Sequence, residues 1–172
     1  MPDRAAIVTG ASRGIGYALA EALGEEGYAL TISARKPDTL EQAAAQLRDR
    51  GFEVESVAAN LGDEAGVHEV VNLASIAGKS PQPWLSVYAA TKAAVLAYTQ
   101  AMNKELSSQG VKSVAFAPGF VDTDMTDYVK AKVPAEEMLR PSDMAEALRF
   151  LLRVSPMCLV PEVVFQRPQE IV

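Results

Sequence analysis

Three glycines separate the first strand-like run of this chain from its first helix-like run. Ala5 to Thr9 reads as a short apolar strand, and Gly14 to Glu26 as a helix with Ile15, Leu19, Ala22 and Leu23 on one face. Thr9-Gly-Ala-Ser-Arg-Gly-Ile-Gly16 joins them. Glycines at 10, 14 and 16 permit a tight turn and a close backbone approach. The helix start then offers free N–H groups and a positive dipole end to a pyrophosphate. A glycine trio alone is a weak signal, but one set between strand one and helix one points to a dinucleotide. The bland alternative is a glycine-rich turn that holds nothing.

The rest of the chain keeps the same alternation. Tyr28 to Ser33 is a second strand. Asp38 to Arg50 is a helix with Leu40, Ala43, Ala44 and Leu47 at helical spacing and Gly51 as its stop. Glu53 to Ala58 alternates as a third strand, Asp63 to Glu69 is a weak helical turn, and Val70 to Ala74 is a fourth strand. Ser86 to Ser108 is a long helix with Thr91, Val95, Tyr98, Met102 and Leu106 in register. Val111 to Ala117 is a strand. Pro141 to Arg153 is a helix with Met144, Leu148, Leu151 and Leu152 inward, and Glu162 to Phe165 is the last strand. This order implies an α/β fold, a Rossmann-like doubly wound parallel sheet in three α/β/α layers, with ligands at the carboxyl ends of the strands.

Composition narrows the partners. A chain of 172 residues with net charge −6 forms one domain and offers no basic face for nucleic acid. No apolar run reaches the ~18 residues of a membrane span. The N-terminus runs straight into a strand without a secretory leader, and one cysteine, Cys158, makes no internal disulfide. A cytoplasmic protein without a membrane or nucleic-acid partner is the expectation. His68 and Cys158 stand without companions, so no metal site is expected.

Two further groups carry chemistry. The second strand ends at Ser33-Ala-Arg35-Lys36, where dinucleotide folds place an acid for a ribose hydroxyl or an arginine for a 2′-phosphate. The acid is absent. Arg35, Lys36 and Arg13 supply cations, so NADP(H) is expected over NAD(H); alternatively Arg35 and Lys36 only solvate a helix start. Then Ser75 sits in Leu73-Ala-Ser-Ile-Ala-Gly78, thirteen residues before Tyr88, and Tyr88 and Lys92 share a helix face four residues apart. A free phenol has a pKa of ~10, too high for ready proton exchange near neutrality. A neighbouring ammonium favours its anion.

With these motifs assembled, the chain resembles the short-chain dehydrogenase/reductases. Thr9-Gly-x-x-x-Gly-x-Gly16 matches the family's cofactor loop, Ser75 its active-site serine, Tyr88-x-x-x-Lys92 its catalytic pair, and Pro118-Gly-Phe-Val-Asp-Thr123 the loop beside the nicotinamide. Ala117 to Thr126 looks especially like the 3-oxoacyl-[acyl-carrier-protein] reductases. The resemblance implies that Tyr88 protonates a carbonyl oxygen, Lys92 supports it and holds the nicotinamide ribose, and Ser75 orients the substrate. It implies cofactor contacts from Gly10, Ser12, Arg13, Gly14, Ile15, Gly16, Arg35, Asn60, Leu61, Tyr88, Lys92, Pro118, Gly119, Val121 and Thr123. Asn60 stands where the family usually has aspartate, and Val121 contributes through its backbone. Trp84 lines a substrate pocket or merely packs. The implied substrate is a small or carrier-bound carbonyl, with a 3-oxoacyl thioester the preferred class by resemblance, and the implied assembly a homodimer or homotetramer. A non-catalytic cofactor-binding or regulatory protein is the alternative.

The resemblance also exposes a shortage. Only about ten residues separate the third strand, ending near Ala59, from the strand at Val70. There the family has a central strand ending in Asn-Asn-Ala-Gly and a helix carrying a catalytic asparagine, and this sequence has neither. A crossover over three strand spacings and back along a strand spans roughly 23 Å. Ten helical residues reach only ~15 Å, and parallel crossovers need about a dozen residues or more. The resemblance implies an omitted stretch of roughly 70 to 80 residues between about Gly66 and Val71, so that the doubly wound sheet lacks a central strand and helix in this sequence. A genuine deletion is the alternative cause.

Overall fold

A computed structural model describes residues 4–57 and 69–168. The strands are β1 (Ala5–Thr9), β2 (Ala29–Ser33), β3 (Val54–Val57), β4 (Glu69–Leu73), β5 (Lys112–Pro118) and β6 (Glu162–Phe165). The α-helices are α1 (Gly14–Glu25), α2 (Pro37–Asp49), α3 (Ser86–Leu106) and α4 (Pro141–Arg153). Each predicted element is present within a residue or two, except that Glu69 opens β4 instead of closing a helical turn. The rest of that turn, Ala58, Asn60, Leu61 and His68 lie outside the described residues. Among the described residues no helix is long and apolar enough to cross a membrane.

The chain divides into two compact units, and every described strand pairing is parallel. The first unit holds β1–β2–β3 with α1, α2 and α4. Its register sets Ile7 against Thr31 and Thr31 against Glu55, and Val8 against Ile32 and Ile32 against Ser56. The face carrying Val8 and Ile32 is buried, while Ile7 on the opposite face is 49% exposed. The stripe predicted for α2, Leu40, Ala43, Ala44 and Leu47, is buried in full. α4 buries Met144, Ala145, Leu148 and Leu151 and packs on α1. Glu25 and Glu26 at the end of α1 oppose the helix dipole. Arg149 pairs with Glu25, and Arg153 with Glu26 at 2.7 Å, which offsets that cost.

The second unit holds β4–β5–β6 and α3. β5 is its centre and is buried from Ser113 to Pro118. Ala74, Ala115 and Ala117 form a small cluster against Val95 and Leu96 of α3, and Phe116 meets the Phe165 ring edge-on at 5.2 Å. Here the structure corrects the expected face of α3. The helix buries Ala89, Thr99 and Asn103 and exposes Thr91 and Tyr98. Alanines ring this helix, so apolar periodicity carries little information about its inward face. Its orientation follows from hydrogen bonds instead.

Candidate active site

The glycine loop belongs to the first unit. Gly10 and Gly14 adopt left-handed backbone at φ 68° and 60°, which side chains resist. A Cβ on Gly16 would sit 2.4 Å from the Gly10 carbonyl oxygen, so only glycine lets the helix start lie this close to the loop. The Ala11 N–H donates to the Ser33 carbonyl at 3.2 Å, tying the loop to the end of β2. Arg13 is the N-cap of α1, with extended backbone and no side-chain capping bond, and no acid occupies the first turn. The first N–H groups of α1 therefore face neither a capping oxygen nor a carboxylate of that turn, the condition an anion needs. Ser12 and Ile15 lie within this loop. Arg35 and Lys36 follow β2, are exposed, and precede Pro37 at the start of α2. Asn60 and Leu61 lie outside the described residues.

The second unit brings Ser75, Tyr88, Lys92 and Pro118 together. Ser75 follows β4, is 8% exposed, and caps the 3-10 turn Ile76–Gly78. Its hydroxyl accepts from the Ala77 N–H at 3.2 Å and donates to the Pro118 carbonyl at 3.3 Å, joining two motifs 43 residues apart. Lys92 is half-buried; its Nζ donates to the Leu73 carbonyl at 2.7 Å and lies 5.7 Å from the Tyr88 ring centre. An ammonium has three protons, so this bond leaves two for other acceptors. Burial pushes the Lys92 amine below the ordinary lysine range. A Cβ on Gly78 would meet the Ala93 nitrogen and the Lys92 carbonyl carbon at 2.7 Å. The glycine thus lets the serine turn rest on the α3 turn that carries Lys92.

The loop after β5 is held on both sides. The Gly119 N–H donates to Phe165, Val121 bridges Leu139 in parallel, and the Asp122 N–H donates to the Leu139 carbonyl at 2.8 Å. Val121 is buried and its carbonyl accepts the Thr126 hydroxyl at 2.6 Å. Thr123 caps the 3-10 segment Asp124–Val129 in a reciprocal box with Thr126. Lys130 pairs with Asp122 at 2.9 Å and Asp127 at 2.8 Å, and this double partnership raises its pKa. Trp84 is fully exposed with φ 72°, so it is no packing residue of this chain. The bonds of Ser75 to Pro118 and of Lys92 to Leu73 had no signal in the sequence, because each joins segments distant along the chain.

The sequence matches a known family. The family model described as "short chain dehydrogenase" matches residues 4–74 and 66–134. The chain belongs to that family of oxidoreductases, which act with nicotinamide cofactors. It is 27% identical over 222 positions to the 3-oxoacyl-[acyl-carrier-protein] reductase FabG of Staphylococcus epidermidis, covering 87% of this chain and 91% of that one. It is 38% identical over 87 residues to the 3-oxoacyl-[acyl-carrier-protein] reductase of Synechocystis, covering 48% of this chain and 35% of the relative. A solved variant of actinorhodin polyketide ketoreductase with NADPH superposes at TM-score 0.83 and 22% identity, covering 95% and 96% of the two chains. That likeness shows the Rossmann-like fold. In the Staphylococcus comparison, 87% of 172 residues is about 150, so about 70 of the 222 positions face no residue of this chain.

Proposed function

We propose that the chain is an NADP(H)-dependent reductase of ketones, with Tyr88 as general acid and a 3-oxoacyl thioester as the preferred substrate class. The observation that carries the reading is the seating of Lys92 between the Tyr88 ring and the Leu73 carbonyl, two residues before Ser75. A nicotinamide cofactor, when bound, supplies the hydride. The chain's own residues do the rest. Tyr88 gives its proton to the carbonyl oxygen, Lys92 stabilises the charge left on the phenol, and Ser75 donates to the same carbonyl oxygen. Ser75 must exchange its Pro118 bond for one to the substrate, an exchange that costs little because the bond is long at 3.3 Å. Gly10, Ser12, Arg13, Gly14, Ile15 and Gly16 cradle phosphates, and Pro118, Gly119, Val121 and Thr123 flank the nicotinamide. The hold of Thr126 on the Val121 carbonyl supports a fixed backbone there. Names of two relatives, both 3-oxoacyl-[acyl-carrier-protein] reductases, support the substrate class.

Cofactor choice rests on Arg35. A guanidinium exposed at the end of β2, with no acid beside it in sequence, favours a 2′-phosphate. The expected result is turnover of a 3-oxoacyl thioester with NADPH and little with NADH, followed as loss of reduced-cofactor absorbance. Arg35→Ala is expected to weaken NADPH binding by about 10- to 100-fold, the worth of one charge-assisted bond or pair, and to leave NADH binding unchanged. Equal weakening for both cofactors refutes the assignment.

The split sheet leaves a second reading, which depends on whether the shortage between the two pieces is genuine. The family match breaks at 66–74, and about 70 positions of a relative lack counterparts. These support an internal stretch that the natural protein carries near residues 66–71 and this sequence omits. Were the deletion genuine, the chain would be a non-catalytic cofactor-binding protein. α3 exposes Val87, Ala90, Ala94, Tyr98 and Ala101, which supports a second copy on that face. Native mass spectrometry reads both points. A subunit mass of 18.4 kDa marks the deletion as genuine, a mass well above it marks an omission, and the complex mass gives the number of copies.

A further inference from the structure

We infer that Asn72 is a positioning residue, whose amide keys β4, α3 and β5 together and so holds Tyr88 and Lys92 in register with Ser75. This rests on the reductase reading. Asn72 lies three residues before Ser75 and one before Leu73, the acceptor of Lys92. Its Nδ2 donates to the Thr99 hydroxyl of α3 at 3.1 Å and to the Ser113 hydroxyl of β5 at 3.0 Å. Both amide protons are therefore spent. Thr99 is fully buried and passes its own proton to the Val95 carbonyl at 2.8 Å, so its oxygen must be the acceptor for Asn72. Asn103 completes the set. Its amide donates to the Ser113 carbonyl at 2.6 Å and accepts from the Ser113 N–H at 2.7 Å. β6 pairs with β5 only from Ala115 onward, so Asn103 supplies the two bonds that a longer strand would give Ser113.

The spacing turns these bonds into a ruler. Lys92, Thr99 and Asn103 lie seven and eleven residues along α3, which places them within ~40° of one helix face and spreads them over ~16 Å. Each bonds to β4 or β5. An apolar face would tolerate sliding or rotation, because dispersion contacts have little direction. This polar stripe does not: a shift of one residue leaves several buried groups unmatched. Registration matters here because one ångström of misplacement in a reacting constellation costs about 100-fold in rate.

The test uses Asn72→Leu and the near-isosteric Thr99→Val, assayed with NADPH and a 3-oxoacyl thioester. Asn72→Leu is expected to lower kcat about 100-fold, with KM for NADPH raised by less than about tenfold because the phosphate loop is untouched. The alkaline limb of its pH profile should move, since Lys92 loses its fixed seat. Thr99→Val should lower kcat in the same direction, and the double variant should fall no further than Asn72→Leu alone. Undiminished kcat in folded protein, or losses that multiply, overturns the inference. If Asn72→Leu fails to fold, Thr99→Val decides alone. Wild-type protein that consumes no NADPH with any ketone refutes the reductase reading instead. The Lys92 amine is then titrated by NMR on reductively 13C-methylated protein, and an unmoved titration in Thr99→Val overturns the inference without turnover.

Discussion

Tyr88→Phe is expected to lower carbonyl reduction by about 1,000-fold, within the 10²–10⁴ that a positioned general acid contributes. NADPH binding should weaken far less, by under about tenfold, the worth of one hydrogen bond. The substitution isolates the hydroxyl. Phenylalanine keeps the ring 5.7 Å from the Lys92 ammonium, and Tyr88 is 39% exposed, so stability should change by less than about 0.5 kcal/mol. Steady-state rates beside a calorimetric binding measurement separate the two effects. An undiminished rate sinks the assigned mechanism. The pH profile adds a second signature. Burial lowers the pKa of Lys92, and the charged amine is the form that the proposed mechanism needs beside Tyr88. Reduction should therefore decline as pH rises through that lowered value, earlier than a surface lysine would dictate. The stability sign is opposite. In the unfolded chain Lys92 regains its ordinary value of 10.5, so between the two values the unfolded state binds more protons. The cost of burying the charge is fully present below the folded value and is relieved as pH climbs toward 10.5. Lys92→Met should remove both the alkaline limb and this rise in stability.

What the sequence made legible, and what it hid, follows from how each element is held. The α2 stripe Leu40, Ala43, Ala44 and Leu47 is read correctly because polar residues flank it and the sheet takes its apolar face. α3 is misread because alanine gives no direction, and because its buried positions are Thr99 and Asn103, polar residues whose partners lie on β4 and β5. Local pattern does not report a bond to a distant strand. The same holds for Ser75: its motif is local, but its contact with Pro118 spans 43 residues. The glycine loop is the opposite case. Its constraint is steric and local, so spacing alone locates it. The exposed Ile7 on β1 belongs with this lesson. β1 is an edge strand of the described three-stranded sheet, and an apolar run there does not report that one of its faces stays open.

Gly16→Ala is expected to weaken NADPH binding by about 100-fold, equivalent to about 2.7 kcal/mol. The added Cβ would lie 2.4 Å from the Gly10 oxygen and 2.8 Å from its carbonyl carbon. Both are backbone atoms, and neither rotates away. The helix start must retreat or the loop must open, and either displaces the N–H groups that the proposed site offers to the phosphates. Overpacking of this kind also costs about 1–3 kcal/mol of stability. Gly10→Ala provides the contrast. A Cβ there meets nothing within 4 Å, but φ is 68°, so its cost is backbone strain of about 1–2 kcal/mol. Stability should fall in both variants, whereas binding should fall far more in Gly16→Ala. Calorimetric titration with NADPH beside thermal unfolding reads the two quantities separately. Should Gly16→Ala lose stability alone and bind NADPH as the wild type does, the loop is a tight turn and the phosphates lie elsewhere. Because this measurement needs no turnover, it tests the cofactor site whether or not the chain is catalytically complete.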